Sequence, residues 1–529
     1  MGVCRKLLVF MALVGSLGAQ SQTGVTAQLD AKETQLADLY ADYWRNEYQI
    51  ARGSESLSSR PIQERIRKVI SDEQFLRRLK AAQFRDPLLK RRRNLFLEEA
   101  AYTKISNDEK LTAIVEDITR YENTMRYQVG DGDLTRAELT QLVTRNPDRQ
   151  LRRQAWEARA QMSGNGERIR QAMKLRNQLA LAYTDELFST FMLRKKGMEA
   201  EKLFEWFEDI RDATEPEYQA LLQQLRHDLH VDTVEPWDLE FYFSRSTKDF
   251  EQMQFVTEEG WPKAKQLLGS LGYNLDTLPV HMEVADLSFA GAAYPILYGK
   301  EVKILANRYS GIFFFDRLFH ATGHALHYAM MNESSFLLSN NYAEPFDEGL
   351  AQVIVLQLYR PEIGVKLFTL TREETRVVAD TYRLKAIFDL RSTMADSLFE
   401  FEAYADPEQD LTTLYNAIHS KYLGVDMHGV AVWAYNPMYG SDPIYLQSYI
   451  VGDMVAHQIA YSVDQRFGSC WGEQAGTYLQ EHFYSRGAET TLDGIMRQGT
   501  GEPLSVRYLT EFLRGSRNTR PPWCGSPKS

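Results

Sequence analysis

Along most of the chain, apolar residues recur every three or four positions, the spacing of one helix face. Leu36, Leu39, Tyr40, Tyr43 and Trp44 keep this spacing within residues 34–50. Over 62–105, charged residues alternate with Ile66, Ile70, Phe75, Leu79 and Leu95-Phe96-Leu97 in the same way. The pattern predicts further helices over 108–127, 135–145, 148–162, 167–190 and 199–229. Gly130-Asp131-Gly132-Asp133 reads as a turn between two of them, since the later ligands of a calcium loop do not follow. Lys90-Arg91-Arg92-Arg93 reads as a solvated helix face beside Glu98 and Glu99.

Strand-like sequence is confined to the middle of the chain. Leu239 to Phe243 is aromatic and alternating, and His281–Val284, Tyr294–Leu297 and Val302–Leu305 are short and β-prone, with Gly291 and Gly299 as breaks. The expectation is a small sheet just before the next helix. No linker rich in Gly, Ser or Pro divides the chain, and no repeat is visible. The pattern therefore predicts a large, mostly α domain with a minor sheet.

Composition changes this picture little. Hydrophobic residues are 44% and charged residues 25% of 529, which is ordinary for a globular protein. The net charge of −11 argues against nucleic-acid binding, which needs a basic surface. The start of the chain changes it more. Arg5 and Lys6 precede the apolar run Leu7–Val14, and Ser16-Leu17-Gly18-Ala19 supplies small residues for cleavage. Residues 1–19 thus read as a signal peptide, and the apolar run is well short of the ~20 residues of a membrane span. The expected mature protein is exported, periplasmic or secreted, with no stable membrane insertion. Its remaining cysteines, Cys470 and Cys524, are either one disulfide or two free thiols.

The candidate chemistry lies in Phe319-His320-Ala321-Thr322-Gly323-His324-Ala325-Leu326-His327. Two histidines four apart stack their imidazoles on one helix face, half of a zinc site. With about 100° per residue, Ala321 neighbours that face while Thr322 points away. His327 lies on the ligand face one turn further on, where an ordinary polar contact is expected, and Gly323 permits close helix packing. A catalytic zinc needs a third protein ligand. Glu348 is the candidate, at the start of a helix opened by Pro345 and ending before Pro361, with Gln352 placed to bond a ligand from one turn on.

These residues resemble the metal helix of the thimet oligopeptidase and oligoendopeptidase family, related to angiotensin-converting enzyme. That family's motif reads Phe-His-Glu-x-Gly-His-Ala-x-His, and Glu348 matches its third zinc ligand. The resemblance implies a two-lobed helical metallopeptidase-like domain over residues 30–515 with a central channel, a tail at 516–529, a zinc ion and an oligopeptide substrate or ligand. It implies that Lys303–Asn307 is an edge strand along which peptide lies. It makes Tyr445 and Tyr449 candidates for transition-state tyrosines, and Tyr439 and His428 weaker ones. Ala321 stands where the family has its general-base Glu. Losing that group costs ~10²–10⁴-fold in rate, while metal binding survives because the Glu is not a ligand. Three readings follow: a zinc-binding pseudo-peptidase, an active oligopeptidase using another carboxylate such as Asp347 or Glu344, or a helical interaction protein without metal.

Overall fold

The computed structural model describes residues 2–54, 56–244, 255–287, 289–309, 311–332 and 335–515, with side chains from residue 23 onward. The fold is mostly helical, as the periodicity predicts. Helices Arg60–Ile70, Glu73–Ala81, Pro87–Ser106 and Glu109–Thr124 pack in succession after the long first helix, Gly2–Ala51. Asp72, Asp86 and Asp108 cap three of them by accepting from backbone N–H groups of the first turn. The arginines of the 90–93 run are half-buried and tie elements together. Arg92 pairs with Asp30 and Glu33, while Arg91 and Arg93 donate to the carbonyls of Ala488 and Ala82. They are not the free solvated face expected from their charge.

Two segments differ from the sequence expectation. Tyr127–Val129 (β1) and Gly132–Leu134 (β2) form an antiparallel hairpin, so Gly130-Asp131 turns a ribbon rather than joining helices. Residues 239–243 lie in the helix Pro236–Ser244, not a strand. Tertiary context overrides the aromatic β preference there. Asp238, fully buried, receives Arg149 and Arg152 from a neighbouring helix and accepts the backbone N–H of Glu235, which fixes the first turn.

The predicted middle sheet is present as Val280–Ala285 (β3), Gly291–Leu297 (β4) and Glu301–Asn307 (β5), in the order β3-β5-β4. β5 pairs with β3 in parallel and with β4 antiparallel. Lys303–Asn307 is therefore the central strand, and the edge beside the next helix belongs to β4. Gly299, at φ +69°, turns β4 into β5 and donates to the carbonyl of Tyr328.

Three helices then build the centre of the molecule: Ile312–Met330 (the histidine helix), Glu344–Leu358 (the glutamate helix) and Leu446–Phe467 (the tyrosine helix). All three contribute to the main apolar core. Glycines set their separation. A Cβ on Gly323 would lie 2.5 Å from Cα of Ala351, and one on Gly452 would lie 2.8 Å from Cβ of Glu348. Backbones this close leave no room for a side chain, as expected for Gly323. Among the described residues, no helix is long and apolar enough to cross a membrane. Cys470 is disulfide-bonded; Cys524 lies outside the described residues.

Candidate metal centre

The histidine helix presents His320 and His324 one turn apart, as their spacing requires, and the glutamate helix brings Glu348 against both. His320 Nε2 lies 3.1 Å from His324 Nε2 and 3.3 Å from Glu348 Oε2, and His324 Nε2 lies 3.9 Å from the same oxygen. A tetrahedral ion with ligand bonds of about 2.0–2.1 Å needs donor separations of about 3.3 Å. The triangle fits. Glu348 is 5% exposed, yet its Oε2 has no hydrogen-bond partner. A buried carboxylate oxygen without a donor is costly, and a cation between the two imidazoles would satisfy it.

The surroundings orient the ligands. Asp347 accepts from His324 Nδ1 at 2.8 Å and from the Tyr328 hydroxyl at 2.8 Å on one oxygen, and from His327 Nδ1 at 2.6 Å on the other. This is the carboxylate–histidine arrangement that fixes a ligand's tautomer and leaves Nε2 for metal. His327 is fully buried, and its other nitrogen meets the carbonyl of Arg486 at 2.9 Å. Its expected polar contact is thus made to the group that holds His324. Burial opposes charge on His324, but Asp347 and Glu348 outweigh it and push the imidazole up to about 9. Burial, assisted by the neighbouring His324 charge, holds His320 below its ordinary value. Burial also works against the Glu348 carboxylate, yet His320, His324 and Tyr445 keep it below the usual range.

Several sequence assignments shift. The glutamate helix begins at Glu344, so Glu348 is in its second turn, and the helix-start field acts on Glu344 and Asp347 instead. Gln352 does not touch a ligand; it donates to the Tyr382 hydroxyl at 2.8 Å. Neither carboxylate considered as a replacement base is free. Asp347 is committed as described, and Glu344 pairs with Lys196 and accepts from Ser448 at 2.9 Å. Ala321 is 3% exposed and Thr322 bonds back to the Leu318 carbonyl, so neither supplies a base.

Of the tyrosines, Tyr445 reaches the centre, donating to Glu348 Oε1 at 2.5 Å. Tyr449 packs its ring against Tyr445 at 5.2 Å and is 42% exposed. Tyr439 is buried and donates to Asp396, and His428 meets Glu235 while stacking on Trp237. Those two are outside the centre, where core packing and a contact with Glu235 account for them. Sequence reasoning missed Asp453, eight residues after Tyr445 on the same helix face. Burial, with Asp389, Glu348 and Asp316, raises its carboxyl to about 7. The i, i+4, i+8 spacing from Tyr445 was the signal available.

Comparison with known proteins agrees with this architecture. Residues 142–259 match the model of peptidase family M3. No curated protein matches the sequence. The M32 carboxypeptidase of Deinococcus radiodurans R1 superposes with a TM-score of 0.68 at 14% identity, over 93% of this chain and 98% of that one. Metallocarboxypeptidase 1 of Trypanosoma cruzi gives 0.61 at 13% identity, over 92% and 99%. The Pyrococcus furiosus carboxypeptidase gives 0.63 at 11% identity, over 93% and 98%. The matched segment is similar to peptidase family M3, and the overall fold is shared with these carboxypeptidase structures.

Proposed function

We propose that this is an exported zinc-binding protein of metallopeptidase type that takes oligopeptides beside the metal and hydrolyses them poorly or not at all. The observation that carries the metal is the partnerless, buried Glu348 Oε2 facing two Nε2 atoms. His320, His324 and Glu348 would hold the ion, which when bound supplies Lewis-acid polarisation of a peptide carbonyl and of water. Asp347 holds His324 in the ligating tautomer. Tyr445 fixes the second oxygen of Glu348 and keeps a phenol within reach of a developing oxyanion. Ala321 supplies no carboxylate to take the proton from water or return it to a leaving amine. The small, partly exposed Gly291-Ala292-Ala293 of β4 favours an extended peptide laid on that edge. The charged and apolar start of the chain, together with a disulfide at Cys470, supports export to an oxidising compartment.

A second reading keeps peptide cleavage with another carboxylate as base, and Asp453, half-buried on the tyrosine helix eight residues after Tyr445, is the candidate. In that reading the protein cleaves peptides, and Asp453→Asn abolishes cleavage without releasing metal. Metal analysis tests the shared core of both. Purified protein should carry about one zinc per chain, and His324→Ala should carry none. Full retention of metal by His324→Ala would overturn the assignment.

A further inference from the structure

The histidine helix is buried except along one stripe. Of Ile312–Met330, only Ile312, Phe313, Arg317, His320 and His324 are not buried. At about 100° per residue, the last four fall within an arc of about 60°. The metal face therefore continues towards the helix start as one cation and one aromatic ring. The tyrosine helix mirrors this: from Leu446 to Ala460, only Tyr449 and Asp453 escape burial. Tyr449 packs on Tyr445, which bonds Glu348 beside His320, so this second stripe also starts from the candidate metal ligands.

Arg317 is held rather than consumed there. Its Nε donates to Asp316 Oδ1 at 2.8 Å and its Nη2 to the same oxygen, while the other Asp316 oxygen accepts from Tyr359 at 2.7 Å. Asp316 is 7% exposed, so the pair pins the guanidinium from behind. Nη1 has no partner among the described residues, and the side chain is 38% exposed. The guanidinium lies 5.6 Å from the Phe313 ring, itself 47% exposed. Position 321 is four residues on, the spacing at which an acid would pair with Arg317. Alanine there leaves the guanidinium without that competitor.

We propose that Arg317 is a carboxylate anchor: a bound peptide lies along this stripe with a carboxylate on the outer edge of the guanidinium, one helix turn from the metal ligands. The chemistry is that of a planar donor fork meeting a carboxylate, beside the apolar faces of Phe313 and Tyr449. The proposal rests on the reading of the site as a peptide-binding metal centre. The carboxylate can come from a C-terminus or from an acidic side chain.

Calorimetric titration of the zinc-loaded chain distinguishes these. The probes are an alanine-rich pentapeptide as free acid, the same peptide as C-terminal amide, and the amide with one internal Glu. We expect a carboxylate-bearing probe to bind at least about tenfold more tightly than the neutral amide, as a charge-assisted bidentate contact warrants. Preference for the free acid alone assigns a C-terminus; equal gain from the internal Glu assigns a side chain. Arg317→Gln should erase the preference and leave zinc affinity unchanged. Arg317→Lys, which keeps charge but not the fork, should retain part of it and guards against loss of fold. If Arg317→Gln keeps the preference, or the unaltered protein shows none, the anchor is overturned. Zinc binding in the same samples reports separately on the metal centre.

Discussion

Asp347 accepts from His324, His327 and Tyr328 through its two oxygens, so one carboxylate sets the geometry of the candidate metal face. Asp347→Asn should weaken metal binding about 10–100-fold, the usual cost of losing the partner of a ligating histidine. Competition titration against a zinc chelator measures this, and an unchanged affinity would remove Asp347 from the centre. The same carboxylate predicts the pH dependence. His324, pushed up to about 9, is protonated in the metal-free protein at neutral pH, and the ion must displace that proton. Lowering the pH favours the proton and raising it favours the metal. Apparent zinc affinity should therefore rise about tenfold per pH unit between about pH 6 and pH 8. A flat profile would contradict the His324–Asp347 coupling. The spacing of His320 and His324 was legible because both lie on one helix. Asp347 was read as a spare acid because its partners are 19 to 23 residues away and only packing brings them together.

Elements repeat that lesson. Helices with a clear apolar face were legible, since burying that face is what stabilises them. Residues 236–244 were not, because burial on nearly every side erases the periodicity. Strand positions were legible from β-prone residues, but strand order was not. Whether β4 or β5 forms the edge depends on pairing between segments, and no local pattern encodes it. Gly323 was legible as a packing residue and carries an element-scale prediction. Gly323→Ala places a methyl 2.5 Å from Cα and 2.8 Å from the carbonyl oxygen of Ala351. The histidine and glutamate helices must then separate, with a cost of ~1–3 kcal/mol typical of overpacking. Because the ligands are divided between those two helices, zinc affinity should fall together with the melting temperature. A loss of stability with full zinc affinity would show that the helix separation does not control the centre.

For the whole molecule, an ion held by His320, His324 and Glu348 would join two helices of the main core and so link metal binding to global stability. Zinc at about 100 times its dissociation constant should stabilise the chain by ~2.7 kcal/mol, chelator should remove that gain, and His324→Ala should lack it. Thermal melts with and without zinc report all three. The three candidate ligands converge as a metal site requires, while position 321 carries no proton-handling group. Cleavage of a quenched, C-terminally amidated oligopeptide without acidic side chains, whose binding does not call on Arg317, tests this, comparing the unaltered chain with Ala321→Glu, alone and combined with Arg317→Gln. The combination is needed because a Glu at 321 stands four residues from Arg317 and would pair with it. We predict little or no cleavage by the unaltered zinc-loaded protein. Zinc-dependent cleavage should appear or rise by ~10²-fold or more once the acid is restored and freed from Arg317. Chelator-sensitive cleavage by the unaltered chain at a rate the restored acid does not raise, or zinc-loaded variants that all stay inert, would contradict the account.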